Sequence, residues 1–325
     1  MYSGSALLRD GKLYLYYTGN VRHHGNFDYI HAGREQNVLR VESTDGIHFT
    51  NKTLLLTNQD FPEWVTQHVR DPQMISRDGS IYMLLGARTQ SDEGCVLVYE
   101  SQDGTDFRHV NTLRTSEPFG YMWECPDLAE VDGQTLLIAC PQGIPHETYR
   151  YANAHQCGCF PLAGALGDKA ELGDFQPFDY GFDYYAARTL KAADGRVLLF
   201  GWMGMSETDY GRNPCADHGW DQVIAMPREL HWKDGALRQT PLRELQALRG
   251  EKQTAEGARG FTAHSRRCEL VLEVKPGTDL TLRLFEDASL HYRAGEGVLT
   301  LEAGTLCGAK RTVRRMRLDP LESLD

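Results

Sequence analysis

A chain of 325 residues, 41% hydrophobic and 24% charged, exceeds one average domain and has the composition of a globular protein able to bury a sizeable core. Its 34 basic and 45 acidic residues give a formal charge of -11, which argues against nucleic acid or an anionic membrane surface as partner. No apolar run of about 20 residues occurs, and the N-terminus has no basic segment followed by an apolar core, so a soluble, unexported, cytoplasmic protein is expected.

In chain order, the first element is a hairpin signal, RDGKLYLYYTG at Arg9 to Gly19. It returns as RDGSIYMLLG at Arg77 to Gly86, VDGQTLLIAC at Val131 to Cys140 and ADGRVLLFG at Ala193 to Gly201. The Asp-Gly turns recur about 50 to 70 residues apart, the length of a four-stranded antiparallel sheet with its loops. A second motif is interleaved: STDGIHFT at Ser43 and SQDGTDFRHV at Ser101 share a polar turn and a Phe three residues after the Gly, as expected of an outer-edge hairpin. The fold class is therefore all-β, and the long period favours a β-propeller over a β-sandwich.

Helical periodicity is scarce before residue 240. Leu242, Leu245 and Leu248 then suggest one short helical turn packed against the propeller. The segment EKQTAEGARG, 251–260, reads as a linker. Strand-like stretches CELVLEVK and LTLRLF follow. The eight cysteines are scattered, and the one close pair, Cys157 and Cys159, has too short a spacing for a zinc knuckle. They are expected to be reduced thiols; no metal and no cofactor is implied.

Two carboxylates stand out. In GYMWECPDL, Glu124 lies between Trp123 and Cys125 and is followed by Pro126, a setting expected to solvate the charge poorly and raise the pKa toward that of a proton donor. In HVRDPQM, Asp71 is expected to be held ionised by Arg70. Each has a plainer alternative: a strand-end Glu pointing to water, and an Arg-Asp-Pro turn.

Topology brings them together. In a propeller, the innermost strand of each sheet lines a central channel, so residues just upstream of each Asp-Gly hairpin converge. These are Ser3 to Ala6, Arg70 and Asp71, Glu124 and Asp127, and Asp183 to Ala186.

With YSGSAL, HVRDPQM, YMWECPDL, DYGFDYYAARTL, GWMG and the GW…PREL segment in this order, the chain resembles glycoside hydrolase family 32, the β-fructofuranosidases. The bacterial sucrose-6-phosphate hydrolase and invertase branch is the nearest. The resemblance implies a β-propeller of the five-bladed type followed by a β-sandwich, and retaining hydrolysis of terminal β-fructofuranosides. It implies Glu124 as acid/base and Asp71 as transition-state stabiliser, with Arg70 beside it. Tyr2, Ser3, Cys125, Asp183 and Trp202 fall on substrate-binding positions, and the partner is a small sugar: sucrose, sucrose 6-phosphate or a short fructan.

One departure matters. The family's nucleophile lies in a Trp-Met-Asn-Asp-Pro-Asn-Gly motif of the first blade, and the sequence has no such motif. The expectation is about four blades, the family's second to fifth, over 1–250, a linker at 251–260 and an incomplete sandwich over 261–325. Such a chain alone is expected to hydrolyse sucrose weakly or not at all, a catalytically dead fructoside-binding propeller being the alternative. Exposed blade faces favour self-association. Arg22, His23 and His24 offer positive charge for a phosphate, or are simply a solvated loop.

Overall fold

The computed structural model describes residues 1–206, 217–220, 222–256, 267–284, 287–304 and 312–318. The chain is built from antiparallel sheets of four strands in sequence order. The first contains β1 (Tyr2–Arg9), β2 (Lys12–Arg22), β3 (Arg34–Ser43) and β4 (Thr53–Leu56). The second contains β5 (Val65–Arg77), β6 (Ser80–Thr89), β7 (Gly94–Ser101) and β8 (Arg108–Leu113). In the third, β9 (Met122–Val131), β10 (Gln134–Gln142), β11 (Gly158–Gly164) and β12 (Ala170–Leu172) are joined by the two-residue β13 (Gln176–Pro177), which pairs with β11. The fourth contains β14 (Tyr185–Lys191), β15 (Val197–Trp202), β16 (Arg228–Lys233) and β17 (Ala236–Pro241). A fifth follows: β18 (Leu280–Leu284), β19 (Ala288–Arg293), β20 (Val298–Glu302) and β21 (Val313–Arg317).

The Asp-Gly repeat is the first hairpin of each of the first four sheets. Arg9 pairs with Lys12, Arg77 with Ser80 and Val131 with Gln134, leaving two-residue loops. Both loop residues have positive φ in Asp10-Gly11, Asp78-Gly79 and Asp132-Gly133, the conformation of a type I′ turn. The fourth case differs: Lys191 pairs with Val197 across a longer loop in which, of the Asp194-Gly195 pair, only Gly195 has positive φ. A further Asp-Gly turn of the two-residue kind, Asp234-Gly235, joins β16 to β17.

The interleaved motif forms the outer connection of the first two sheets in the same way twice. Ser43 Oγ accepts the Gly46 N–H, and Asp45 Oδ1 accepts those of Ile47 and His48. Ser101 and Asp103 repeat this with Gly104, Thr105 and Asp106. Short polar side chains that bond to backbone two or three residues on are what hold such turns.

Three buried apolar clusters fill the spaces between consecutive sheets. Tyr16, Val38, Met83 and Leu97 lie between the first and second, Trp123, Leu84, Leu137 and Phe160 between the second and third, and Ile138, Ala187, Leu199 and Leu230 between the third and fourth. The middle sheets are thus covered on both faces, and β6, β7 and β10 read as nearly continuous apolar runs.

The fifth sheet is tied to the third by Arg314, whose Nε and Nη2 donate to Asn153 Oδ1 at 2.9 and 2.6 Å. Two expectations about the C-terminal part need correction. CELVLEVK forms no strand beyond one isolated bridge position, and Leu270 and Val271 are exposed, because no strand pairs along them. The turn predicted at Leu242 to Leu248 is a 3-10 helix over Arg243–Leu248, as a three-residue spacing requires. Leu248 is nevertheless 80% exposed. Ion pairs of Arg243 with Asp194 and of Glu244 with Arg196 hold this turn instead. Residues 251–256 of the predicted linker are exposed and without regular structure; its remainder lies outside the described residues, as does part of the GW…PREL region.

Candidate active site

Each innermost strand, β1, β5, β9 and β14, breaks register at the same level. The shifts fall between Tyr2 and Gly4, Arg70 and Gln73, opposite Ile138 and Cys140, and between Tyr185 and Arg188. In three of the four the bulge contains a non-glycine residue with positive φ, namely Asp71 (63), Cys125 (50) and Ala186 (51). A bulge turns consecutive side chains toward one side and tolerates the prolines at 72 and 126, which cannot donate to a ladder. Such backbone costs about 1 to 3 kcal/mol per residue and is retained where it aims side chains.

What it aims is a carboxylate cluster. Arg70 donates to Glu124 Oε1 from Nη2 at 2.6 Å and from Nε at 3.0 Å. Glu124 Oε2 accepts the Tyr185 hydroxyl at 2.6 Å and Gln142 Nε2 at 2.8 Å. Arg70 Nη1 also donates to His68 Nδ1 at 2.9 Å, and the other ring nitrogen of His68 faces Tyr29 O. Burial, aided by the positive charges of Arg70 and Arg34, holds His68 down to about 4, so it is neutral and accepts from the arginine. Asp71 is 3% exposed; its Oδ2 accepts the Cys125 N–H at 2.9 Å and its own N–H donates to Thr18 Oγ1. Thr18 in turn donates to Ser3 O, which links Ser3 to the backbone of Asp71.

The pKa directions are the reverse of those expected. Burial pushes Glu124 up, but the Arg70 charge and the bonds from Tyr185 and Arg70 outweigh it and lower it below the usual value. Burial dominates at Asp71, assisted by repulsion from Glu124, and raises it despite Arg70. The reason is geometric. Strand alternation sends Trp123 to the opposite face, where it stacks on Phe160 at 4.7 Å, so no indole encloses Glu124. Arg70 likewise reaches across to the neighbouring sheet and pairs with Glu124.

The other expected residues are distributed around this centre. Trp202 is the register partner of Tyr185, is half-buried, and donates from Nε1 to Gln222 Oε1 at 2.5 Å. Asp183, buried with a φ of 55, lies two residues before Tyr185. Tyr2 is 43% exposed at the start of β1. Cys125 contributes its backbone N–H; its thiol is buried against Cys140, whose Sγ lies 3.4 Å from that of Cys157.

Asp127 has a different task. It accepts Gln73 Nε2 at 2.8 Å, and both the N–H and the hydroxyl of Thr189 at 2.7 Å, while Arg188 donates to Gln73 Oε1 and Pro126 O. It ties β5, β9 and β14 together below the cluster. Gln142, His68 and Thr18 were given no role from the sequence, and Tyr185 was included only as part of the converging stretch Asp183 to Ala186. Tyr185 stood inside the quoted DYGFDYYAARTL, and its place two residues after Asp183 on an innermost strand was the available signal; Gln142 and Thr18, on second strands, carried none. Among the described residues no group of three or more His, Cys, Asp or Glu is placed to hold a metal ion, and no helix is long and apolar enough to cross a membrane.

Comparison with known proteins agrees with this architecture. Residues 1–241 match the glycosyl hydrolases family 32 N-terminal domain. The chain is 34% identical over 338 residues to the sucrose-6-phosphate hydrolase of Bacillus subtilis (strain 168), covering 99% of the chain and 68% of that relative. It is 38% identical over 291 residues to the sucrose-6-phosphate hydrolase of Klebsiella pneumoniae, covering 86% of the chain and 59% of the relative. The chain thus spans about three-fifths to two-thirds of the length of these curated relatives. The structure of sucrose-6-phosphate hydrolase from Lactobacillus gasseri superposes with a TM-score of 0.84 at 26% identity, over 99% of the chain and 67% of that structure. A family match over residues 1–241, with all-β sheets that superpose on a member, places the chain in glycosyl hydrolase family 32.

Proposed function

We propose that this chain is the fructoside-binding and acid/base part of a retaining β-fructofuranosidase acting on sucrose or sucrose 6-phosphate. The observation that carries this is the convergence of Glu124 and Asp71 from adjacent innermost strands, with Arg70 and Tyr185 bonded to Glu124 and the Cys125 N–H bonded to Asp71. Glu124 protonates the glycosidic oxygen, and Asp71 accepts hydrogen bonds from fructose hydroxyls while positive charge develops on the ring. Tyr2, Ser3, Asp183 and Trp202 contact the sugar, whose C–H face suits the Trp202 ring.

Glu124 becomes a donor when substrate draws Arg70 away and burial is left as the larger effect. Tyr185, its phenol pushed well above the ordinary range by burial and by Glu124, stays protonated and orients the carboxyl. The first four sheets are read as blades two to five of the propeller, and the fifth as part of the sandwich. No Trp-Met-Asn-Asp-Pro-Asn-Gly segment occurs in the 325 residues, so the nucleophile is assigned to none of them.

A second reading, fructoside binding without turnover, is favoured by one observation: Arg70 holds Glu124 in its anionic form. Release of reducing sugar from sucrose and sucrose 6-phosphate, with Glu124→Gln and Asp71→Asn as controls, separates the two. Turnover abolished by both substitutions establishes hydrolysis and requires a nucleophile among these residues. Sucrose binding with equal inactivity of all three supports the binder, and loss of both binding and turnover sinks both readings.

A further inference from the structure

Asp183 stands in a segment that no ladder holds. Between β13 and β14, residues 179–184 form bends and irregular chain, and Asp183 itself takes a φ of 55. Positive φ in a residue other than glycine persists where the surroundings fix it. Within the segment, Gly181 N–H donates to Asp179 Oδ1 at 2.7 Å. From outside, Gly181 O accepts Asn153 Nδ2 at 3.0 Å, and the Arg314 guanidinium lies 4.2 Å over the Phe182 ring. Both outside contacts trace to Arg314, a residue of the fifth sheet.

The link through Asn153 is a matter of donors and acceptors. A guanidinium only donates, whereas an asparagine amide has one oxygen and one NH2 group, so the end of the amide that meets Arg314 must be the oxygen. Asn153 Oδ1 accepts from Arg314 Nε and Nη2, which leaves Nδ2 facing Gly181 O. Arg314 Nη1 donates to Val313 O at 3.0 Å and so anchors the guanidinium to its own strand. Arg314, Asn153 and Asp183 are all buried. With no water to compensate, an amide turned the other way would set its oxygen against the Gly181 carbonyl and its NH2 against the guanidinium.

We propose that Arg314 is a positioning residue for the fructose side of the site: through the Asn153 amide and the Phe182 ring it sets the backbone of 181–183, and with it Asp183. The C-terminal sheet is then needed for sugar affinity and is more than a brace for the sheets before it. That Asp183 contacts fructose rests on the fructosidase reading above; that Arg314 holds its backbone does not. Lysine cannot take this place, because a compact ammonium has neither the planar face that covers Phe182 nor the rigid fork that fixes the amide.

The test pairs calorimetric binding of fructose with hydrogen exchange of the peptide 178–184, in the wild-type chain, Arg314→Lys, Asn153→Asp and the control Arg293→Gln. Asn153→Asp is the deciding variant. Its carboxylate keeps the bonds from Arg314, so the fifth sheet stays attached, but it sets an oxygen against Gly181 O where a donor stood. Fructose is expected to bind about tenfold more weakly in Arg314→Lys and in Asn153→Asp. Exchange over 178–184 should be faster in both, and exchange in β18 to β21 unchanged in Asn153→Asp. Arg293→Gln removes an ion pair confined to the fifth sheet, with Asp279, and should leave both readouts at wild type. Unchanged exchange over 178–184 in Asn153→Asp would overturn the proposal and leave Arg314 as a brace; faster exchange with unaltered fructose affinity would overturn it as well, since the segment would not serve the sugar. Absence of fructose binding in the wild type refutes the fructosidase reading and the sugar role with it, while the exchange of Asn153→Asp still upholds or refutes the hold of Arg314 on Asp183.

Discussion

Arg70 and Glu124, on the innermost strands of adjacent sheets, form a two-nitrogen contact to one carboxylate oxygen, with side chains 8% and 18% exposed. Removing one member strands the other. Glu124→Gln is expected to abolish hydrolysis and to destabilise the fold by about 2 to 4 kcal/mol, since an uncompensated buried guanidinium remains. Urea unfolding of Glu124→Gln, Arg70→Met and the double variant measures this; a double variant no more stable than Glu124→Gln would show that the stranded charge is not the cause.

The same pair sets a pH dependence. Glu124 is lowered in the folded chain, so its stabilisation is present above the unfolded value of about 4.3 and lost as pH falls through the folded value. Wild type should lose more stability than Glu124→Gln on acidification from pH 5 to pH 3, read as the urea midpoint. Parallel curves would contradict it.

Asp71 has the opposite sign. Its folded value is raised, so its contribution is favourable below the unfolded value of about 3.9 and is lost as pH rises through the folded one. Ionised Asp71 is thus a standing cost at neutral pH. Asp71→Asn, which keeps an acceptor for the Cys125 N–H, is expected to be as stable as wild type or about 1 kcal/mol more so while losing activity. Asp71→Ala leaves that N–H unpaired and should lose about 1 to 3 kcal/mol. Thermal unfolding of the two variants distinguishes them.

Asp127→Ala should behave as a structural lesion. It removes the acceptor for Gln73, Leu128 and Thr189 at the junction of three innermost strands. A loss of about 3 to 5 kcal/mol is expected. Near-ultraviolet circular dichroism and urea unfolding check it; an unaltered midpoint with selective loss of sugar binding would assign Asp127 to the site instead.

Arg314→Ala should loosen the fifth sheet. Its guanidinium, 6% exposed, binds Asn153 and lies 4.2 Å over Phe182, while Asn153 Nδ2 donates to Gly181 O. Faster hydrogen exchange in β18 to β21 is expected, with the first four sheets unchanged. Uniform exchange across all five sheets would show that the C-terminal sheet is not a separate unit.

The local rules of the chain were enough to locate its hairpins. Asp-Gly between alternating apolar residues can adopt two successive positive φ values cheaply, so Asp10-Gly11, Asp78-Gly79 and Asp132-Gly133 announce the first strand pair of each of the first three sheets. The Ser-x-Asp-Gly turns did the same for the outer connections, because their bonds run to backbone two or three residues away. From these repeats the topology followed, and with it the meeting of Arg70, Asp71, Glu124 and the strand of Tyr185. What the tertiary structure alone decided was which groups touch. A sequence neighbour is a poor guide to electrostatics in a strand, since alternation turned Trp123 away from Glu124 and a bulge sent Arg70 across to it rather than back to Asp71. The pKa directions of both carboxylates depend on those cross-sheet contacts and on burial, which arise only when four separate sheets pack side by side.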